Sequence, residues 1–187
     1  LELLAILKQM VHEKHVAVLM SLHELDLAQK VSDLVICVHG DRIERMGVPE
    51  EIFTDEYIHH LYGVTAGSYN AAFGCLELDA PRGEPEVFVI AGGGSGIPVF
   101  RQLQRKGIPF AVGVLPENDV DYQVARALSE HVISERAFEE ISEEKVQEAL
   151  AMMRRCSRVI CAVSRFGMVN RRCEELKKEA ERMGLLQ

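Results

Sequence analysis

The sequence predicts an α/β protein whose larger part, residues 86–187, is a doubly wound parallel sheet built from four βα units. Three observations carry this. Short apolar runs alternate four times with helical patterns between Val87 and Met183. A glycine-rich loop, Gly92-Gly93-Gly94-Ser95-Gly96, follows the first of those runs, where a strand would turn into a helix. Residues 64–85 (VTAGSYNAAFGCLELDAPRGEP) are rich in Gly, Pro, Ala and Asn and predict a connector, with a short strand at Cys75–Leu78, after a first block over residues 1–63.

Composition sets the outer limits. Apolar residues make up 48% and charged residues 27%, ordinary globular values that exclude a disordered chain. No apolar stretch reaches the roughly 18 residues a membrane span requires. Net charge is −8. Residues 1–63 hold 5 Lys+Arg against 11 Asp+Glu, and residues 64–187 hold 16 against 18. Such a distribution lacks the basic footprint of a nucleic-acid binder. Five cysteines, an odd number without CxxC spacing, read as free thiols of a reducing cytosol. The start at Leu1 has no initiator Met and no basic n-region, so the expectation is a chain that begins partway through a longer protein.

In the first block, Leu3, Leu4, Ile6, Leu7, Met10 and Val11 lie on one helical face and predict a helix over residues 1–15. The run HVAVLMSL (residues 15–22) predicts a buried parallel strand. Ser21 and Glu24 match a capping box for a helix over residues 24–32 and place His23 in its first turn. Residues 34–38 and 42–47 predict strands around a His39-Gly40-Asp41 turn. Pro49 opens a short helix, and a last helix over residues 55–62 stops at Gly63.

The run VAVLMSLHELDLAQKVSDLVICVHGDRIERMGVPEEIF, followed by LYGV, closely resembles the C-terminal end of an ABC transporter ATP-binding subunit. The subfamily it resembles is the importers of iron–siderophore, haem and cobalamin complexes. The matching positions are Ser21, His23, Glu24, Asp33, Gly40, Gly47, Pro49, Glu50 and Glu51. The resemblance covers residues 1–64 and implies the C-terminal part of a P-loop ATPase fold. It implies that His23 is the switch histidine, which contacts the γ-phosphate of ATP and helps position the attacking water. It also implies ATP and Mg²⁺ as cofactors, membrane permease subunits and a second ATP-binding subunit as partners, and a place at the inner face of the cell membrane. The chain departs from the family in having no G-x-x-x-x-G-K-[ST], no LSGGQ signature and no acidic Walker B strand. The expectation is therefore that this chain alone does not hydrolyse ATP.

The second block predicts strands at residues 87–91, 110–115, 131–134 and 159–163, each followed by a helix, a Rossmann-like pattern. Gly92, Gly93, Gly94, Ser95 and Gly96 form a loop whose backbone N–H groups, with the dipole of the next helix, suit an anion or nucleotide. It is neither a Walker A loop nor a dinucleotide fingerprint, because no Lys follows and Ile97 stands at the third glycine position. Asp119 reads as a helix N-cap or as a holder of a ribose hydroxyl. Arg165 is a candidate second contact to a phosphate or carboxylate. No cysteine or histidine spacing suits a metal. Some ATP-binding subunits of the same importer group carry a similar extension with a GGGSG-type loop. The resulting expectation is a domain that senses a small anionic ligand. Its alternatives are a nucleotide-binding stand-alone enzyme and a dimerisation module.

Overall fold

The computed structural model describes residues 2–63, 65–71 and 73–187. The chain divides into two compact units, Leu1–Glu77 and Leu78–Gln187.

In the first unit, α1 (Glu2–Lys14) forms as its apolar periodicity predicts, yet it buries none of its residues. The chain from residue 15 to residue 24 is irregular, then α2 (Leu25–Val31) follows. An antiparallel hairpin comes next, β1 (Val35–His39) against β2 (Arg42–Gly47), paired from Val35↔Gly47 to His39↔Arg42. Pro49 opens α3 (Pro49–Ile52). Thr54 caps α4 (Asp55–Tyr62) by accepting from the Tyr57 N–H, and Gly63, at φ 59°, ends it. Cys37, Ile52, Phe53, Tyr57, Ile58 and Tyr69 form the core of this unit.

Two expectations change here. The strand predicted at residues 15–22 is absent: Val16, Val18, Leu19 and Met20 are exposed, Leu19 at 87%. A parallel strand needs a neighbour to take up its backbone N–H and C=O groups. The hairpin strands β1 and β2 pair only with each other, and no described strand pairs with this run. The predicted connector is also more than a connector. It holds a second hairpin, β3 (Ser68–Asn70) with β4 (Cys75–Glu77), and β3 places Tyr69 in the core beside Phe53. The Asp55 carboxylate takes the Tyr69 N–H at 2.5 Å and ties this hairpin to α4.

The second unit contains β5 (Val87–Ile90), α5 (Ile97–Arg105), β6 (Phe110–Pro116), α6 (Val120–Leu128), β7 (His131–Glu135), α7 (Glu143–Met153), β8 (Arg158–Cys161) and α8 (Cys173–Arg182). Its four strands form one parallel sheet in the order β7-β6-β5-β8. Alternation along β5 feeds two cores. Val87 and Val89 meet Phe100 and Leu103 of α5 and Val124 and Leu128 of α6. Phe88 and Ile90 meet Val146 and Met153 of α7 and Leu176 and Ala180 of α8. The sheet is thus covered by helices on both faces, which is why its strands read as continuous apolar runs. From β5 the chain steps outward through β6 and β7, then returns to β8 on the other side of β5. The loops after β5 and β8 therefore diverge, and such a switch point opens a crevice at the carboxyl ends of the strands.

Candidate functional site

The crevice is a cleft of about 250 Å³ built from three loops of the second unit. The loop after β5 contributes Ala91, Gly92 and Gly93. The end of β6 and the turn after it contribute Val114, Pro116 and Asp119. The loop after β8 contributes Gly167, Met168, Val169 and Asn170. The Asn170 side chain fixes that last loop: its Oδ1 accepts the Gly167 N–H at 2.6 Å, and its Nδ2 donates to the Arg165 carbonyl at 3.4 Å.

Two carboxylates grip the glycine loop. Asp119 accepts the Gly93 N–H at 2.8 Å through Oδ2 and 3.1 Å through Oδ1. The same Oδ1 accepts the Asp121 N–H at 2.9 Å, the N-cap bond of α6. Asp121 is fully buried and accepts the Gly96 N–H at 3.0 and 3.2 Å. Burial pushes the Asp121 carboxyl above the ordinary Asp range, against the pull of the Gly96 N–H, and the Asp119 charge pushes it further up. The Ser95 N–H turns back to the Gly92 carbonyl at 3.3 Å. Three of the amides expected to receive an external anion, those of Gly93, Ser95 and Gly96, are thus engaged by the chain's own carboxylates and carbonyl.

The structure sorts the predicted site residues. Gly92, Gly93 and Asp119 come together in the cleft. Ser95 and Gly96 belong to the loop but face its own hydrogen bonds, and Gly94 lies with them at φ 85°. Arg165 is exposed and is not among the residues lining the cleft. Asn170 braces its own loop, while Arg172 stands at the N-cap of α8. Asp121 went unrecognised in the sequence. Its signal is the Asp-x-Asp spacing after a strand, which a capping motif alone also explains.

In the first unit, His23 is exposed in the irregular segment ahead of α2. The capping box does not close: Glu24, not Ser21, is the N-cap residue, and its side chain makes no capping bond. Without the preceding strand, nothing fixes the entry of the chain into the helix at Ser21. A second polar cluster ties the first hairpin to α4. Glu44 stands 3.2 Å from both His39 Nδ1 and His60 Nε2, and the Arg45 guanidinium lies 4.7 Å above the Tyr57 ring. No group of three His, Cys, Asp or Glu residues among those described has the arrangement to hold a metal ion. Burial pushes the thiols of Cys156 and Cys173 up to about 11, so both are protonated at neutral pH and are poor nucleophiles.

Comparison with known proteins agrees with the resemblance to ABC transporter ATP-binding subunits. An uncharacterised ABC transporter ATP-binding protein of Methanocaldococcus jannaschii, MJ0873, is 30% identical over 116 residues, 62% of this chain and 40% of that protein. The cobalamin import ATP-binding protein BtuD of Halobacterium salinarum is 28% identical over 130 residues, 66% of this chain and 33% of its own length. The hypophosphite import ATP-binding protein HtxD of Stutzerimonas stutzeri is 44% identical over 61 residues, 33% of this chain and 18% of its own length. The relatives are ABC transporter ATP-binding subunits. This chain spans about two fifths of the M. jannaschii protein and a third of BtuD. The MJ0874 family profile matches residues 110–186, from β6 through α8. No solved structure matches the chain. No helix among the described residues is long and apolar enough to cross a membrane.

Proposed function

We propose that this chain is the C-terminal portion of the ATP-binding subunit of an ABC importer, followed by an accessory ligand-binding module over residues 78–187. The observation that carries the first part is the match to HtxD at 44% identity over 61 residues, together with the ordered motif from Ser21 to Glu51. The HtxD match supports the importer class alone; in this reading the substrate is an iron–siderophore, haem or cobalamin complex, as the subfamily resemblance and the similarity to the cobalamin importer BtuD suggest. ATP and Mg²⁺ are held mainly by residues outside this chain. Permease subunits and a second copy are its partners at the inner face of the membrane.

The distribution of apolar surface supports the same reading. Besides α1, the first unit exposes Val38, Ile43 and Met46 of its hairpin and Val16, Leu19 and Met20 of the irregular segment. A buried core of six residues does not cover these groups, and a surface of that extent asks for a covering partner. In the proposed subunit the remaining part of the ATPase domain covers it and supplies the neighbour that residues 15–22 need to become a strand. That strand would hold His23 at its carboxyl end, where it positions water against the γ-phosphate.

The test is ATP turnover by the complete subunit carrying this chain, with and without His23→Ala. The expected result is turnover lowered at least about tenfold, roughly 1.4 kcal/mol in the barrier, with ATP binding retained. Turnover equal to wild type would remove His23 from the mechanism.

A further inference from the structure

We infer that the cleft at the carboxyl edge of the second unit's sheet takes a small uncharged or cationic ligand through hydroxyl or amino donors, and turns away phosphates and carboxylates. This rests on the reading of residues 78–187 as a ligand-binding module and names the chemistry of its site.

The cleft's inventory sets the sign. Asp119 is the one charged side chain lining it among the described residues, and Arg165 stays outside. Oδ1 of Asp119 carries two backbone donors, whereas Oδ2 carries one, from Gly93. A carboxylate oxygen accepts about two hydrogen bonds, so Oδ2 has one acceptor position left for a ligand donor. An anion would need free loop amides, and those of Gly93, Ser95 and Gly96 are already bonded within the chain. It would also sit beside Asp119, with Asp121 directly behind the loop, and gain no cation in return.

The apolar lining sets the body of the ligand. Val114, Pro116, Met168 and Val169 supply it, and Met168 and Val169, on the loop after β8, are 87% and 61% exposed. Apolar side chains left open to water beside a cleft gain free energy when a ligand covers them. The site therefore fits a molecule with one apolar or flat face and at least one hydroxyl or amino group directed at Asp119 Oδ2. A volume of about 250 Å³ keeps it small.

The experiment titrates the ¹⁵N-labelled 187-residue chain with matched pairs: adenosine and AMP, ribose and ribose 5-phosphate, phenethylamine and phenylacetate. At least one uncharged or cationic member is expected to shift the Gly93 and Asp119 amide signals saturably, about tenfold more tightly than its anionic partner. Asp119→Asn keeps an N-cap side chain for α6, and an unchanged remainder of the spectrum reports an intact fold. In that variant the preference over the anionic partner is expected to collapse. Equal or tighter binding of the anionic members, or a preference that survives Asp119→Asn, overturns the chemistry while leaving a ligand-binding module. Absence of any saturable shift overturns the module reading along with it.

Discussion

Replacing Gly96 by Ala should destabilise the second unit, although the backbone there is favourable for alanine. Gly96 has φ −79° and ψ −29°, an ordinary helical conformation in which Gly→Ala normally stabilises by about 0.4–1 kcal/mol. The obstacle is space. An added Cβ would lie 2.4 Å from Phe100 Cζ, 2.6 Å from Ala91 Cβ and 2.9 Å from Phe100 Cε2. Neither neighbour can retreat easily. Phe100 is fully buried and its ring stacks on Phe110 with centroids 5.4 Å apart, and Ala91 sits at the end of a central strand. Overpacking of a close-packed core costs about 1–3 kcal/mol, which outweighs the helix gain and leaves a net loss of about 1–2 kcal/mol. For a unit of this size that lowers Tm by roughly 4–10 °C. Gly93→Ala is the control: φ is 63° and no atom lies within 4 Å of the new Cβ, so only the left-handed backbone penalty of about 1–2 kcal/mol applies. Calorimetric unfolding of wild type and both variants measures the effect. In a background carrying Phe100→Leu, which removes the ring carbons in the way, Gly96→Ala should cost less than it does in the wild type. A Gly96→Ala protein at least as stable as wild type, or an unchanged loss in the Phe100→Leu background, refutes the packing argument and leaves the glycine to be explained by ligand approach.

The remaining expectations concern pH, folding and turnover. Because burial raises the Asp121 carboxyl, its stabilising contribution is fully present below the ordinary Asp pKa and is lost as pH rises through the raised value. The wild-type unfolding free energy minus that of Asp121→Asn should thus fall in urea titrations as pH rises above the ordinary Asp value of about 4; a flat or rising difference contradicts this. Residues 78–187 expressed alone should unfold cooperatively, since both sheet faces have their own buried core. Residues 1–77 alone should give a shallow, low-temperature transition, and a sharp one would show that the exposed apolar groups need no partner. The His23→Ala turnover loss and the collapse of ligand preference in Asp119→Asn, set out above, complete the series.

The elements most legible in the sequence are those whose causes are local. Pro49 and Gly63 bracket the helices α3 and α4, and the His39-Gly40-Asp41 turn sets the first hairpin. The strands β5, β6, β7 and β8 were visible because a strand covered on both faces is apolar at successive positions. The match of Ser21–Glu51 to a family motif is likewise a property of sequence alone. Three features were decided only in tertiary structure. Residues 15–22 have the apolar content of a strand but lack a ladder partner, and backbone pairing is a property of two segments. Tyr69 became core because Asp55, 14 residues earlier, accepts its N–H, a pairing that no local pattern announces. Finally, the glycine loop looked like an open anion cradle because its amides are written in its glycines. Which groups hold those amides depends on where the turn after β6 lands. The parallel pairing of β5 and β6 brings Asp119 and Asp121 to the loop, where their carboxylates accept the Gly93 and Gly96 amides.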